Sequence, residues 1–574
     1  MNREPGRLAR WTAWSVFSAF VVLISLMFAA CGGGGTTQAQ QQQQSSSFPF
    51  VLEAPGTLRP LVMAGGSVSY AVSANPVSGN PPPGVIAVTM SGIPSGLTVD
   101  PNSFSMDTAN NVWTTPVTIT ASSSLPPGVY PIAVTGKNQT GTYSITVTVG
   151  VVEPTQPPAP LQANALYSFS GPPDASMAYG PLISDTAGNV YGVTPDGGTN
   201  ELGGTVFELS FSNSTWRKTV LYSFDDGEPS GALVFDSSGN LYGVTGETGN
   251  LCNPNGCSGS SLGTVYELTP AGSGWQRTVL HTFSGSPDGE EPGAGLVIDK
   301  AGNLYGTTMY GGDSKVDCGG RGCGTVFTLQ RSGNGWVYSV IHKFEFSDGF
   351  SPQSGMIIDP QGNIYGTAFL GGDTNCPWFQ RFAVGGVGGP ECGTVFKVSL
   401  SGGVWQESTI YTFHASAQGT GPFGLVLDSA GNLYGATTYG GFDTAQCAQC
   451  GNFFKLTPSG STWTLTQLYD FLGGDDGMQP YYNVVSDQAG NIYGVTPNGG
   501  PPNCGDATNG YYGCGSVVRL SQTGGVGQTG QGWVATGYYI FPGGAAGWLP
   551  SSLTLSRGHL YGTTQSGVIF EINP

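Results

Sequence analysis

The chain has 574 residues, 94 of them Gly and 40 Pro, and only 9% are charged. That composition excludes a protein built of surface helices, whose outward faces need Glu, Lys and Arg. The formal net charge of −18, with no basic stripe, argues against nucleic acid as a partner, because phosphate binding needs clustered Lys and Arg.

Residues 1–30 read as a processing signal. Arg3, Arg7 and Arg10 precede the apolar run "WTAWSVFSAFVVLISLMFAA". The run is long enough to span a bilayer, so a retained anchor helix is the alternative. "FAAC" followed by "GGGG" resembles a bacterial lipoprotein signal, with Phe28 standing where that family usually has Leu. The resemblance implies cleavage before Cys31, acylation of its thiol and a membrane held through the N-terminal lipid. Two or three acyl chains anchor stably where one does not. Gly32, rather than Asp, implies the outer membrane or cell surface. Loss of residues 1–30 removes three Arg and one Glu and takes the formal charge from −18 to −20.

Residues 31–47 ("GGGGTTQAQQQQQSSS" and its Cys) lack apolar content and read as a flexible tether. Residues 48–152 carry short alternating runs such as "SVSYAV", "VTITAS" and "YSITVTV" between Pro, Gly and Asn turns, which predicts a β-sandwich. "SGLTVDP" and "LPPGVYPIAVTGKNQTGTYSITVTV" resemble bacterial immunoglobulin-like domains. Residues 153–164 are a Pro-rich linker.

From residue 165 to 574 one phrase recurs. Its tyrosine stands at 191, 242, 305, 365, 434, 493 and 561, at intervals of 51 to 69 residues. Each unit holds four strand-like pieces, as in "GAGLVID", "GNLYGTT", "CGTVFTL" and "WVYSVIHKF". Asp185, Asp236, Asp299, Asp359, Asp428 and Asp487 open D-x-x-G-N turns between the first two pieces. "NLYG" and "TVF" are apolar on both faces, as in a sheet covered on both sides. Seven four-stranded sheets of this kind predict an all-β, seven-bladed β-propeller. The seventh unit ends without a fourth strand, and an orphan copy, "ALYSF" (165–169), precedes the first; an N-terminal strand is expected to close the ring. "GNLYGTT", "GTVFKVS" and "GLVLDSAGNLYGATTYGG" resemble the GloVer (Gloeo-Verruco) tandem-repeat proteins over residues 165–574. That resemblance implies surface attachment by varied anchors and assigns no activity.

Ten further cysteines fall in pairs between the second and third strands of units two to six. They are Cys252/Cys257, Cys318/Cys323, Cys376/Cys392, Cys447/Cys450 and Cys504/Cys514, and intra-loop disulfides are expected in an exported chain. Zinc would need four such groups converging, whereas each pair sits on a different blade.

No catalytic constellation emerges. The four His lack metal-ligand spacing, and His281 and His342 occupy the tyrosine position of "LYSF". No metal or other cofactor is expected. Calcium, the one cation weighed, needs converging oxygens that single carboxylates on separate blades do not ensure. Loops from one blade's last strand to the next blade's first strand place Asp226, Asp288, Asp348 and Asp476 at matching positions near the channel mouth. They read as Asp-Gly turns or as an acidic ring for a cationic ligand. Trp378, Phe379 and Trp548 break the repeat and are candidate stacking platforms. The expectation is a surface-anchored, non-catalytic propeller binding an extracellular saccharide or protein ligand on its loop-rich face. A propeller lyase or hydrolase and a structural adhesion protein are the rivals.

Overall fold

The computed structural model describes residues 50–574 apart from 54–60, 66, 77–84, 108–113, 127, 139–141, 153–158, 200–202, 247–251, 254–255, 258–261, 273, 314–317, 319, 334, 374–391, 415–417, 442–449, 501–512 and 523–531. Cys31, Cys376, Trp378, Phe379, Cys447 and Cys504 lie outside the described residues. The chain is all-β: a 3-10 turn at Gly544–Ala546 is the single named helical element among the described residues. No helix among them is long and apolar enough to cross a membrane.

Between residues 50 and 152 two sheets of four and five strands share one core. Val85–Ser91 alternates exposed and buried residues strictly, as a strand with one dry face must. Val72, Val117 and Ile119 of one sheet and Val88, Val134 and Val149 of the other are almost fully buried in that core.

Besides a two-stranded hairpin at Cys252–Asn253 and Gly256–Cys257, seven further sheets follow, each built on four antiparallel strands that pair in chain order in the first six. The third is representative: Leu296–Ile298, Leu304–Thr308, Thr325–Ser332 and Gly335–Lys343. First strands of successive sheets touch, and that of the seventh (Pro550–Ser556) touches that of the first (Tyr179–Ser184). Thr554 Oγ1 donates to Leu182 O at 2.5 Å across this junction. The seventh sheet lacks a fourth strand of its own, and Gln162–Ser168 pairs antiparallel with Val568–Asn573 to supply it. This strand begins three residues before the expected 165. Just upstream, Ala159–Pro160 adds in parallel to the fourth strand of the sixth sheet, Trp533–Ile540.

One hydrogen bond repeats at every sheet and explains the Phe of "LYSF". The amides of Phe169, Phe224, Phe283, Phe344, Phe413, Phe471 and Phe541 each donate to a glycine carbonyl preceding the third strand, at 2.8–3.1 Å. Most of these rings then pack edge-on against an aromatic of the next sheet, as Phe224 does on Tyr266 and Phe344 on Phe396. Phe169 meets Phe207 of the first sheet in the same way, so the N-terminal strand joins last sheet to first as other sheets join.

The recurring tyrosine has two jobs. Its hydroxyl donates to the turn Asp six residues earlier, as Tyr305 does to Asp299 Oδ2 at 3.1 Å. Its ring packs on the next sheet's tryptophan: Tyr242 on Trp336, Tyr305 on Trp405, Tyr365 on Trp463 and Tyr434 on Trp533. The glycine after it does not chiefly serve approach between sheets. In six sheets a Cβ there would lie 2.2–2.8 Å from an aromatic of its own third strand, and only at Gly494 is the aromatic the neighbouring sheet's Phe453. The close approach between sheets falls instead on the glycine before the third strand. A Cβ on Gly324 would sit 2.8 Å from Pro352 Cδ of the next sheet.

Candidate functional site

At one edge of the array, loops between second and third strands meet loops that lead into the next sheet. The amides of Ser351, Gly421, Gln479 and Leu549 donate to the carbonyls of Cys323, Cys392, Cys450 and Cys514, at 2.6–3.1 Å. Cys318 and Cys323 form a disulfide, and Cys392, Cys450 and Cys514 are disulfide-bonded as well. Cys252 and Cys257 pair in backbone register. Between the bonded cysteines of the third sheet, Arg321 binds Glu290 Oε1 at 2.6 Å and Glu291 Oε1 at 2.8 Å, while its guanidinium lies over Tyr310. The ion pairs dock the stapled loop onto the strand entry.

Glu291, Ser351, Gln479 and Leu549 hold φ of 55–59°, which side-chain-bearing residues rarely adopt, and each precedes a proline on the way into a first strand. Backbone held in that region is strained and is kept only where the surroundings force it. Here the force is the proline seated on the preceding sheet's glycine, together with the carbonyl contact of the cysteine loops.

The first strands enclose an axial cavity of ≈ 280 Å³, lined by residues from all seven sheets. Gly180, Gly231, Ala294 and Gly424 line it where neighbouring first strands approach closely. Polar side chains come from Tyr179, Gln353, Tyr481, Tyr482, Asn483, Ser551 and Gln565, and among the described residues no Asp, Glu, Lys, Arg or His lines it. Gln565 Nε2 donates to Tyr482 Oη at 2.9 Å, and Tyr481 Oη donates to Gln353 Oε1 at 3.3 Å. Phe423 and Tyr481 stack at 4.7 Å. Beside the cavity, burial and then the charge of Asp196 push the Glu228 carboxyl up to about 7, and its charge acts in turn on the half-buried Tyr179.

Asp226, Asp288, Asp348 and Asp476 do not form a ring at this opening, because each is spent on its own strand end or on the next sheet. Asp288 accepts from Ser284 N and pairs with His281 Nε2 at 3.1 Å. Asp348 accepts from Glu345 N and lies 3.2 Å from His342 Nε2. Asp476 accepts from Leu472 N and Tyr469 Oη, and burial pushes it up to about 7. Asp226 takes the Arg277 guanidinium of the next sheet at 2.5 Å. None of the four lines the cavity. Trp548 packs half-buried against the core between the sixth and seventh sheets, with its amide on Ser566 Oγ, so it is no free platform.

Sequence reasoning passed over the cavity residues and also Glu407. Burial pushes the Glu407 carboxyl up to about 7, with His342 opposing and Asp348 adding to the shift. The available signal for the cavity was the first-strand spelling, which varies from "MAYGPL" through "SPQSGM" and "TGPFGL" to "QPYYNV" while the flanking phrases repeat.

The chain belongs to the Gloeobacter/Verrucomicrobia repeat family, whose sequence model matches residues 104–317, 255–376 and 316–569. No curated protein matches it. Solved structures similar to it include the GH93 α-L-arabinofuranosidase of Fusarium graminearum, 13% identical over 62% of this chain and 98% of that one, with a TM-score of 0.37. An α-L-arabinanase of Penicillium chrysogenum is 10% identical over 72% and 98%, at 0.34. A quinonprotein alcohol dehydrogenase-like protein of Bacteroides thetaiotaomicron is 11% identical over 85% and 99%, at 0.33.

Proposed function

We propose that the protein is a lipid-anchored surface receptor. Cys31 carries the lipid, an immunoglobulin-like sandwich is the spacer, and a seven-bladed β-propeller closed by Gln162–Ser168 binds a neutral saccharide in its axial cavity. The observation that carries this reading is the cavity's lining: amides, hydroxyls and stacked aromatic rings, with no charged side chain among the described residues. Sugars present hydroxyls to amides and apolar faces to aromatic rings, and a preformed concave site of this make-up fits them. Oligosaccharide binding by the full chain, measured on a glycan array and then by calorimetry, tests it. Gln565→Ala and Tyr482→Ala are expected to weaken binding by about tenfold or more, with a melting temperature close to that of the wild type. Unchanged affinity in both variants sinks the cavity as the site. The Asn quadruple variant of Asp226, Asp288, Asp348 and Asp476 is expected to bind as the wild type does.

One observation favours a second reading, a hydrolase acting on the same ligand class. Glu228 is held near neutrality beside the cavity, as a general acid must be. Release of reducing ends from a bound oligosaccharide, abolished by Glu228→Gln with binding intact, would establish it.

A further inference from the structure

The residue two positions after each fourth-strand tryptophan occupies one register throughout the array. Lys218, Arg277, Tyr338, Glu407, Leu465 and Ala535 lie opposite Leu209, Leu268, Leu329, Val398, Leu456 and Leu520 of their third strands. At the first four of these junctions the residue faces the Asp delivered by the preceding loop. Lys218 Nζ meets Asp174 Oδ1 at 2.7 Å, and Arg277 meets Asp226 at 2.5 Å. Tyr338 donates to Asp288 O at 2.9 Å and stacks on His281 at 3.6 Å. At the junction of the third and fourth sheets the position is Glu407. There a carboxylate replaces the cation, opposite Asp348 and His342, and among the described residues neither carboxylate has a Lys or Arg partner.

We infer that His342, Asp348 and Glu407 form a divalent metal site of the zinc class, a clip between the third and fourth sheets. Their ligating atoms all lie within 4.8 Å of one another. His342 Nε2 is buried and makes no hydrogen bond among the described residues, although Asp348 Oδ2 is only 3.2 Å away. That separation is the edge of a tetrahedron about a metal with bonds of about 2.0 Å, roughly 3.3 Å. Among the described residues the Glu407 carboxylate accepts a hydrogen bond from Thr409 Oγ1 alone, at 3.2 Å, and its oxygen lies within 4.8 Å of the other two ligating atoms. One imidazole and two carboxylates select zinc-like ions over calcium or magnesium, which prefer oxygen alone. Water completes the coordination. The cation then fills the role that Lys218 and Arg277 play at two sister junctions. His281 has no such third partner, since Tyr338 stands where Glu407 does.

The test uses the full chain stripped with EDTA, with Zn2+ alone as the probe, read by calorimetry and thermal unfolding. Wild-type protein is expected to take up one equivalent lost in Glu407→Gln and His342→Asn. Saturation should raise the melting temperature by about 3 °C or more, against no shift with equal Ca2+. Glu407→Lys rebuilds the sister ion pair, so it should melt at or above metal-free wild type and ignore zinc. No zinc uptake by the wild type, the same uptake in Glu407→Gln and His342→Asn, an equal response to calcium, or a zinc response in Glu407→Lys would overturn the assignment.

Discussion

The two edges of the sheet array are made from one repeat and follow different rules. Along the edge of D-x-x-G-N turns, six aspartates make the same bonds. Each accepts from the amide four residues on, from the Asn side chain there and from the tyrosine hydroxyl six on, as Asp236, Asp359 and Asp428 do. Along the edge carrying the stapled loops, five aspartates again bond near a strand end, but the partner changes: Lys218 or Arg277 of the next sheet, or His281, His342 or Tyr469 of the preceding strand. An acidic group saturated by its own turn leaves no choice of neighbour. One in a loop between sheets can bond either the strand it leaves or the sheet it enters, so chemical variety collects on that side.

The largest effect should come from what both edges share. Phe344 is fully buried between the third and fourth sheets, and Phe344→Ala is expected to cost about 3–5 kcal/mol in urea unfolding. A loss under 1 kcal/mol would mean that the edges, not the stacked rings, hold the array. Next, the edges should differ in pH response. Asp476 stays protonated in the native protein up to about pH 7, but in the unfolded chain only below 3.8. Native stability therefore falls as pH rises between those values, by about 2–4 kcal/mol, and Asp476→Asn should remove the slope. Asp185, Asp236, Asp428 and Asp487 act in the opposite sense. Burial raises their pKa, but bonds from Asn, backbone and Tyr outweigh it and leave it lowered, so their contribution is lost as pH falls.

A smaller and more even effect is expected at the turns. Asp299→Ala and Asp428→Ala should each cost about 2–3 kcal/mol, equal within error, because each removes the same bonds. Replacing Cys318 and Cys323 together by Ser should cost about 2 kcal/mol through loop entropy. Asp226→Ala, at a side chain 50% exposed, should cost under about 1 kcal/mol. A penalty as large as that at Asp299 would erase the distinction between the edges.

Much of the array was legible in the sequence because its rules are local. The Asp, Gly and Asn of each turn, the doubly apolar "LYG" and the orphan "ALYSF" all announce themselves within a few residues. The structure matches them with buried second strands and a paired Gln162–Ser168. The cavity was not legible, since Tyr179, Gln353, Tyr481 and Gln565 each come from a different sheet and converge only when the first strands meet. The supposed acidic ring failed for a related reason. Strand patterning shows that Asp288 follows a turn, but not that His281, seven residues back, turns to meet it. Glu407 escaped notice because its meaning lies in contrast with Lys218 and Arg277 across the repeat.

The strand Gln162–Ser168 also decides how the molecule bears load. Gln162 sits opposite Asn573 at the edge of the Asp turns, and Ser168 opposite Val568 at the edge of the stapled loops. A pull between the segment preceding Gln162 and anything gripped at the far edge therefore runs lengthwise along this strand. Its ladder is sheared as a unit instead of peeling bond by bond, and the rate of rupture is set by breaking the bonds together. The seam that joins the two ends of the array is thus loaded in the direction in which a hydrogen-bonded ladder resists best.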